Sequence, residues 1–166
     1  MSKYIVLYRH GIPEDKNIIP DDDLRSLSIR GRRLLSKSIA GFKIMLGKKK
    51  YIKIYSSPKL RAVQTAEMLS SELKIAPPQY FDFLANGGNI RLIKEIVQHL
   101  NPSEVAVLVG HQPFLSIWSQ ELSGIYLPFK KGTAVCFRFP NEGNEKAELR
   151  WYLQTRDFIK ITGNRA

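Results

Sequence analysis

The chain has 166 residues, 43% of them hydrophobic and 25% charged, with 26 Lys and Arg against 15 Asp and Glu for a formal net charge of +11. That length suits one domain, residues 1–166, and the near-average composition excludes a disordered, collagen-like or disulfide-scaffold protein. The single Cys136 has no partner for an intramolecular disulfide, and no Cys/His cluster has structural zinc spacing, so a reducing compartment is expected.

In chain order, the first apolar run is Tyr4 to Tyr8. It is too short for a signal-peptide core or a membrane span, which points to a soluble, cytoplasmic protein with no membrane partner. Its β-branched and aromatic residues predict a strand. Leu35, Ile39, Phe42 and Leu46 then recur at helical spacing, with Ser28 placed to cap the helix. A second strand is predicted over Tyr51 to Tyr55. The helix after it carries Leu60, Val63, Leu69 and Leu73, with Ser57 read as its N-cap and Pro58 as its first residue. A third helix carries Ile90, Ile93 and Val97 behind a capping Asn89. Further strands are predicted over Val105 to Val109, Thr133 to Phe139 and Leu149 to Leu153, the last two joined as a hairpin by Pro140-Asn141-Glu142-Gly143-Asn144. Alternating strands and helices, with no repeat or linker, predict an α/β fold: a three-layer α/β/α sandwich whose central sheet is mostly parallel with an antiparallel edge strand.

In such sheets ligands bind beyond the carboxyl ends of the strands. The residues there are Arg9-His10-Gly11, Ser57-Pro58-Lys59-Leu60-Arg61 and Gly110-His111-Gln112-Pro113. Two Arg and two His at one sheet edge suit a phosphoryl group. Guanidinium forks match phosphate oxygens, N–H groups at the Ser57–Pro58 helix start favour an anion, and a neutral imidazole attacks phosphorus.

These segments resemble the histidine phosphatases, the phosphoglycerate mutase-like superfamily, and within it the short SixA-type phosphohistidine phosphatases. Tyr8-Arg9-His10-Gly11 is similar to the Arg-His-Gly signature, and Ser57 through Ala66 to the Ser-Pro-x-x-Arg-Ala-x-Gln-Thr-Ala segment. Val109 through Pro113 resembles the Gly-His turn, and Asp23 through Gly31 the Arg-x-Leu-Ser/Thr-x-x-Gly lead into the first helix. The resemblance implies a phosphoglycerate mutase-like fold with His10 as a transiently phosphorylated nucleophile. It further implies that Arg9, Arg61 and His111 bind the phosphoryl oxygens, with Ser57 beside them. His10 would attack unprotonated, its other ring nitrogen held by a hydrogen bond to a backbone carbonyl. The two Arg, and His111 if protonated, would stabilise the transferring group. No metal or cofactor enters this scheme.

Many longer members protonate an alkoxide leaving group with a Glu or Asp after the third strand, whereas here Phe81-Asp82-Phe83-Leu84-Ala85-Asn86-Gly87-Gly88-Asn89 carries no carboxylate beyond Asp82. The resemblance to SixA-type members, which lack that acid, favours a phosphohistidine substrate, because imidazole leaves more readily than an alkoxide. Glu14, Asp15, Asp21, Asp22 and Asp23 remain as loop carboxylates that either screen neighbouring charge or reach the leaving group. Short connections between the motifs predict an open site that a phosphohistidine on another protein can enter.

The reading is therefore a hydrolase of phosphohistidine on a phosphotransfer protein. The alternatives are a broad phosphomonoesterase of the same superfamily acting on small phosphorylated substrates, and a non-catalytic module holding phosphate or nucleic acid. His99 reads as a helix-end residue, Cys136 as core, and Trp118 as core on a helix that follows Gly-His. Trp118 and Trp151 suggest no nucleic-acid stacking platform. From Leu24 through Ala66 there are 12 Lys and Arg and no Asp or Glu, so this segment, including Lys48-Lys49-Lys50, carries the whole excess of positive charge. Its Lys59–Arg61 end adjoins the phosphate motifs, which favours steering of an acidic phosphorylated protein over binding of nucleic acid.

Overall fold

In a computed structural model, which describes residues 2–49, 51–140 and 146–163, the chain forms a six-stranded sheet between two layers of helices. The strands are β1 (Lys3–Arg9), β2 (Ile52–Ser56), β3 (Gln79–Tyr80), β4 (Val105–Gly110), β5 (Ala134–Phe139) and β6 (Glu148–Leu153). The helices are α1 (Ile29–Leu46), α2 (Leu60–Leu73), α3 (Phe83–Asn86), α4 (Ile90–His99), α5 (Phe114–Ser123) and α6 (Thr155–Gly163). Strand order is β3-β2-β4-β1-β5-β6. β1, β2, β3 and β4 are mutually parallel, β5 runs antiparallel to β1, and β6 runs antiparallel to β5. The antiparallel hairpin thus closes one edge of a parallel sheet, as the sequence predicts. Its turn residues 141–144 lie outside the described residues, as does Lys50.

Period-2 alternation sorts β1 between two cores. Val6 and Tyr8 face one layer with Leu35, Ile39, Phe42, Leu69 and Phe158, while Ile5 and Leu7 face the other with Leu84, Ile93, Leu115 and Trp118. Both faces being covered, β4 reads as an unbroken apolar run, every residue of it buried. Cys136 belongs to the first core, where burial pushes its thiol up to about 12. Trp118 belongs to the second, its indole N–H donating to Gly88 O at 3.0 Å.

Ser28 caps α1 as expected, its hydroxyl accepting from Gly31 N, and Asn89 caps α4 by accepting from Arg91 N. The predicted start of α2 is corrected. The helix begins at Leu60 with Lys59 as N-cap, because Ser57 N donates to Val109 O at 3.0 Å and so ties Ser57 to the end of β4, beyond β2 and ahead of the helix. Pro58 lies before the helix.

Three strands and α-helices escaped the sequence reading, β3, α3 and α6, as did a 3-10 turn at Asp22–Leu24. β3 spans two exposed residues and α3 four, too few for either periodicity to register. α6 packs along α1, and a side chain at Gly41 would place its Cβ 1.9 Å from Phe158 O. The two helices therefore meet backbone to backbone at that glycine, with Phe158 edge-on to both Phe42 and Trp151.

Candidate active site

Parallel register assembles the site. Arg9 of β1 lies opposite Gly110 of β4, so the residues that follow, His10 and His111, sit side by side with ring centroids 5.0 Å apart. Ser56 of β2 lies opposite Val109, which brings Ser57 to the same edge. Arg61 enters from the first turn of α2, its Nε 3.4 Å from His10 Nε2. Thr65, one turn along α2, accepts from Gly11 N and donates to Arg61 O, so the helix is tied directly to the loop after β1. Arg9, His10, Arg61 and His111 line one cavity of about 390 Å³, and Ser57 stands behind His111. Four of the five residues singled out in the sequence thus share one wall-to-wall space.

The ring of His10 has a fixed orientation. Nδ1 lies 2.7 Å from Gly11 O, and since a carbonyl only accepts, Nδ1 carries the proton and Nε2 keeps its lone pair. Burial pushes the pKa of His10 well below the ordinary value, with the cations Arg61 and Arg9 adding to the effect, so the ring is neutral at physiological pH. Burial and the charges of Arg61 and Lys59 also push His111 down, to about 3. The protonated His111 entertained from the sequence is therefore replaced by a neutral ring. Arg9 donates from Nη1 to Phe129 O at 2.5 Å, and its buried Nε has no partner among the described residues.

Of the loop carboxylates, Asp22 alone lines the cavity. It sits in a 3-10 turn (Asp22–Leu24) whose N-cap is Asp21, and its carboxylate reaches Arg61 at 2.9 Å, Arg25 at 3.0 Å and Lys59 at 3.1 Å. Arg61 Nη1 also donates to Asp22 O at 2.6 Å. Partial burial opposes ionisation of Asp22, but the hydrogen bonds and charges of Arg61 and Lys59 outweigh it and hold the carboxyl far below the usual range. The sequence offered no way to choose Asp22 from its acidic neighbours. The choice is made by the docking of the loop: Leu27 N donates to Gln64 Oε1 at 2.8 Å, Ser28 N donates to Ile12 O, and Gly31 lets Ile12 O approach to where a Cβ would be 2.0 Å away. Asp82 precedes α3 and does not line the cavity, which Ala85 borders instead.

Among the described residues no group of three or more His, Cys, Asp and Glu is placed to hold a metal ion, and no helix is long and apolar enough to cross a membrane.

Over 93% of this chain and 98% of the other, the backbone superposes with a TM-score of 0.78 on the protein histidine phosphatase SixA in its tungstate complex, at 19% identity. The fold is that of the histidine phosphatase superfamily. The same fold recurs in a phosphoserine phosphatase mutant of Entamoeba histolytica complexed with phosphoserine, with a TM-score of 0.68, 14% identity, and 93% and 98% of the two chains covered. It recurs again in a phosphoglycerate mutase of Plasmodium falciparum, with a TM-score of 0.67, 20% identity, and 91% and 90% covered. No protein-family model matches the sequence. The chain belongs to one family with an uncharacterized protein of Picosynechococcus sp., 32% identical over 140 residues that make up 81% of this chain and 84% of the other. Histidine phosphatase folds therefore frame this site, while the three solved relatives differ in the chemistry their names state.

Proposed function

We propose that this chain is a phosphatase that hydrolyses phosphohistidine on a phosphotransfer protein through a covalent phosphohistidine on His10. The observation that carries the reading is the His10 ring: buried, neutral, its Nδ1–H tied to Gly11 O and its Nε2 lone pair facing Arg61 inside the cavity. Nε2 attacks phosphorus in line. The new P–N bond forms as the bond from phosphorus to the substrate imidazole breaks, and that imidazole takes a proton from solvent. Water then attacks the phosphorus on His10, the P–Nε2 bond breaks, and inorganic phosphate leaves. Arg9 and Arg61 neutralise the equatorial oxygens throughout.

The choice of a phosphoramidate rests on Asp22. Among the described residues it is the one carboxylate lining the cavity, and Arg61 and Lys59 keep it ionised, so it has no proton for an alkoxide. An imidazole leaving group tolerates that lack. The cavity is also lined by Lys16, Arg25 and Lys131, which favours an acidic protein surface as the substrate's carrier. The test is incubation with a phosphorylated histidine-containing relay domain, following dephosphorylation and using mass spectrometry to find phosphate on His10. His10→Ala is expected to abolish both. Wild-type-like turnover by that variant refutes the mechanism, and faster hydrolysis of sugar phosphates than of the relay domain refutes the substrate class.

A further inference from the structure

We propose that Ser57 is a positioning residue that fixes the tautomer of His111, so that a neutral imidazole donates its Nδ1 proton to the phosphoryl oxygen. The proposal rests on the phosphatase reading only for the identity of the acceptor. The hydrogen-bond inventory of Ser57 carries the rest. Its Oγ lies 3.1 Å from Lys59 N, whose N–H can only donate, and 2.7 Å from His111 Nε2. If Nε2 carried a proton, Oγ would accept twice and its own hydroxyl proton would have no acceptor among the described residues. With Nε2 bare, Oγ accepts from Lys59 and donates to His111, and both groups are satisfied. The proton of the neutral ring then sits on Nδ1.

Nδ1 is where a ligand would be needed. His111 is 5% exposed and lines the cavity beside His10, and its Nδ1 is buried with no partner among the described residues. A buried donor without an acceptor is costly, so an anion that supplies one is favoured there. Burial, then the groups facing His111, hold the ring neutral: Arg61 and Lys59 at the start of α2 and Arg9 at the end of β1, with Asp22 opposing from its loop. A neutral N–H donor also avoids placing a third full positive charge beside Arg9 and Arg61. The same geometry explains the lost helix cap: Ser57 Oγ lies outside α2 because it is committed to His111 and to the Lys59 N–H.

The resting protein gives the first test. In protein labelled with 15N in the imidazoles, long-range 1H–15N correlation should find His111 neutral, protonated on Nδ1 and bare on Nε2, between pH 5 and pH 8. A cationic ring or an Nε2-protonated one overturns the proposal, whether or not the protein proves to be a phosphatase. Ser57→Ala should shift His111 towards the other tautomer and weaken binding of inorganic phosphate by roughly tenfold, while the His99 signals stay in place as a control for folding. Ser57→Thr, which keeps the hydroxyl, should restore both. Unchanged phosphate affinity in a folded Ser57→Ala protein also overturns it.

Discussion

Replacing Asp22 with Asn removes one charge and keeps an oxygen that can accept from Arg61. In the resting site the carboxylate holds three cations within 3.1 Å, and its side chain is 40% exposed, so water screens its field. Its partner Arg61 presents Nε to His10 Nε2 at 3.4 Å, so a phosphoryl group on His10 would sit on the far side of one guanidinium from Asp22. Across a separation of about 6 Å in a water-like dielectric, a dianion and the carboxylate repel by about 1.4 kcal/mol, a factor of about ten in affinity. Asp22→Asn should therefore bind inorganic phosphate roughly tenfold more tightly by calorimetric titration at low ionic strength, and the gain should shrink in high salt. Because an ionised Asp22 donates no proton, turnover of an aryl and of an alkyl phosphate should change by the same factor. An unchanged or weaker phosphate affinity refutes the electrostatic argument, and a loss confined to the alkyl phosphate makes Asp22 the general acid instead.

Acid should destabilise the fold through its neutral histidines. His10 and His111 have native pKa values pushed down, so below the ordinary value of about 6.5 the unfolded chain binds protons that the native one refuses, and stability falls as pH falls. For His111, pushed down to about 3, the cost is about 2 kcal/mol between pH 7 and pH 5, and His10 acts in the same direction. Urea midpoints at pH 7 and pH 5 check this, with His111→Gln expected to flatten the slope and an equal slope counting against it. Gly41→Ala should destabilise by about 2–3 kcal/mol through its clash with the α6 backbone, read as a lower thermal midpoint, and a neutral effect would mean that α6 is not seated there. Phe42→Ala, which removes a fully buried ring touching Tyr8, Trp151 and Phe158, should cost about 3–5 kcal/mol by the same measurement.

What the sequence made legible follows from which signals are local. The strands β1, β2 and β4 announce themselves by β-branched runs, and once they are parallel neighbours the residues after Arg9, Ser56 and Gly110 must meet, so His10, Ser57 and His111 could be named before any coordinates. The Ser57–Pro58 helix start was misread because Ser followed by Pro is a valid local signal that a distant partner overrides: Val109 O holds Ser57 N and His111 holds its hydroxyl. α6 stayed hidden because what seats it is the absence of a side chain at Gly41, far away in sequence. Asp22 could not be separated from Asp21 and Asp23 because the loop is positioned by Gln64 and Gly31, residues that look like plain helix-face positions.

The charge distribution acquires a different meaning once the fold is in place. The acidic run Asp21–Asp23 stands immediately before the basic segment that begins at Arg25, and along the sequence the two look like separate solvated stretches. Folding brings the run back onto the far end of that segment, where Asp22 meets Lys59 and Arg61 and Asp23 meets Lys59 at 3.4 Å. One carboxylate shared among three cations leaves the cavity strongly positive, and burial together with the charges of Arg9 and Arg25 pushes the pKa of Lys131 below its ordinary value. An incoming phosphoryl group therefore enters a field that already attracts it and already contains a carboxylate at the Arg61 fork. Binding adds a second anion at Arg61 on the side that faces His10, while Asp22 on the other side keeps the guanidinium oriented before the substrate arrives.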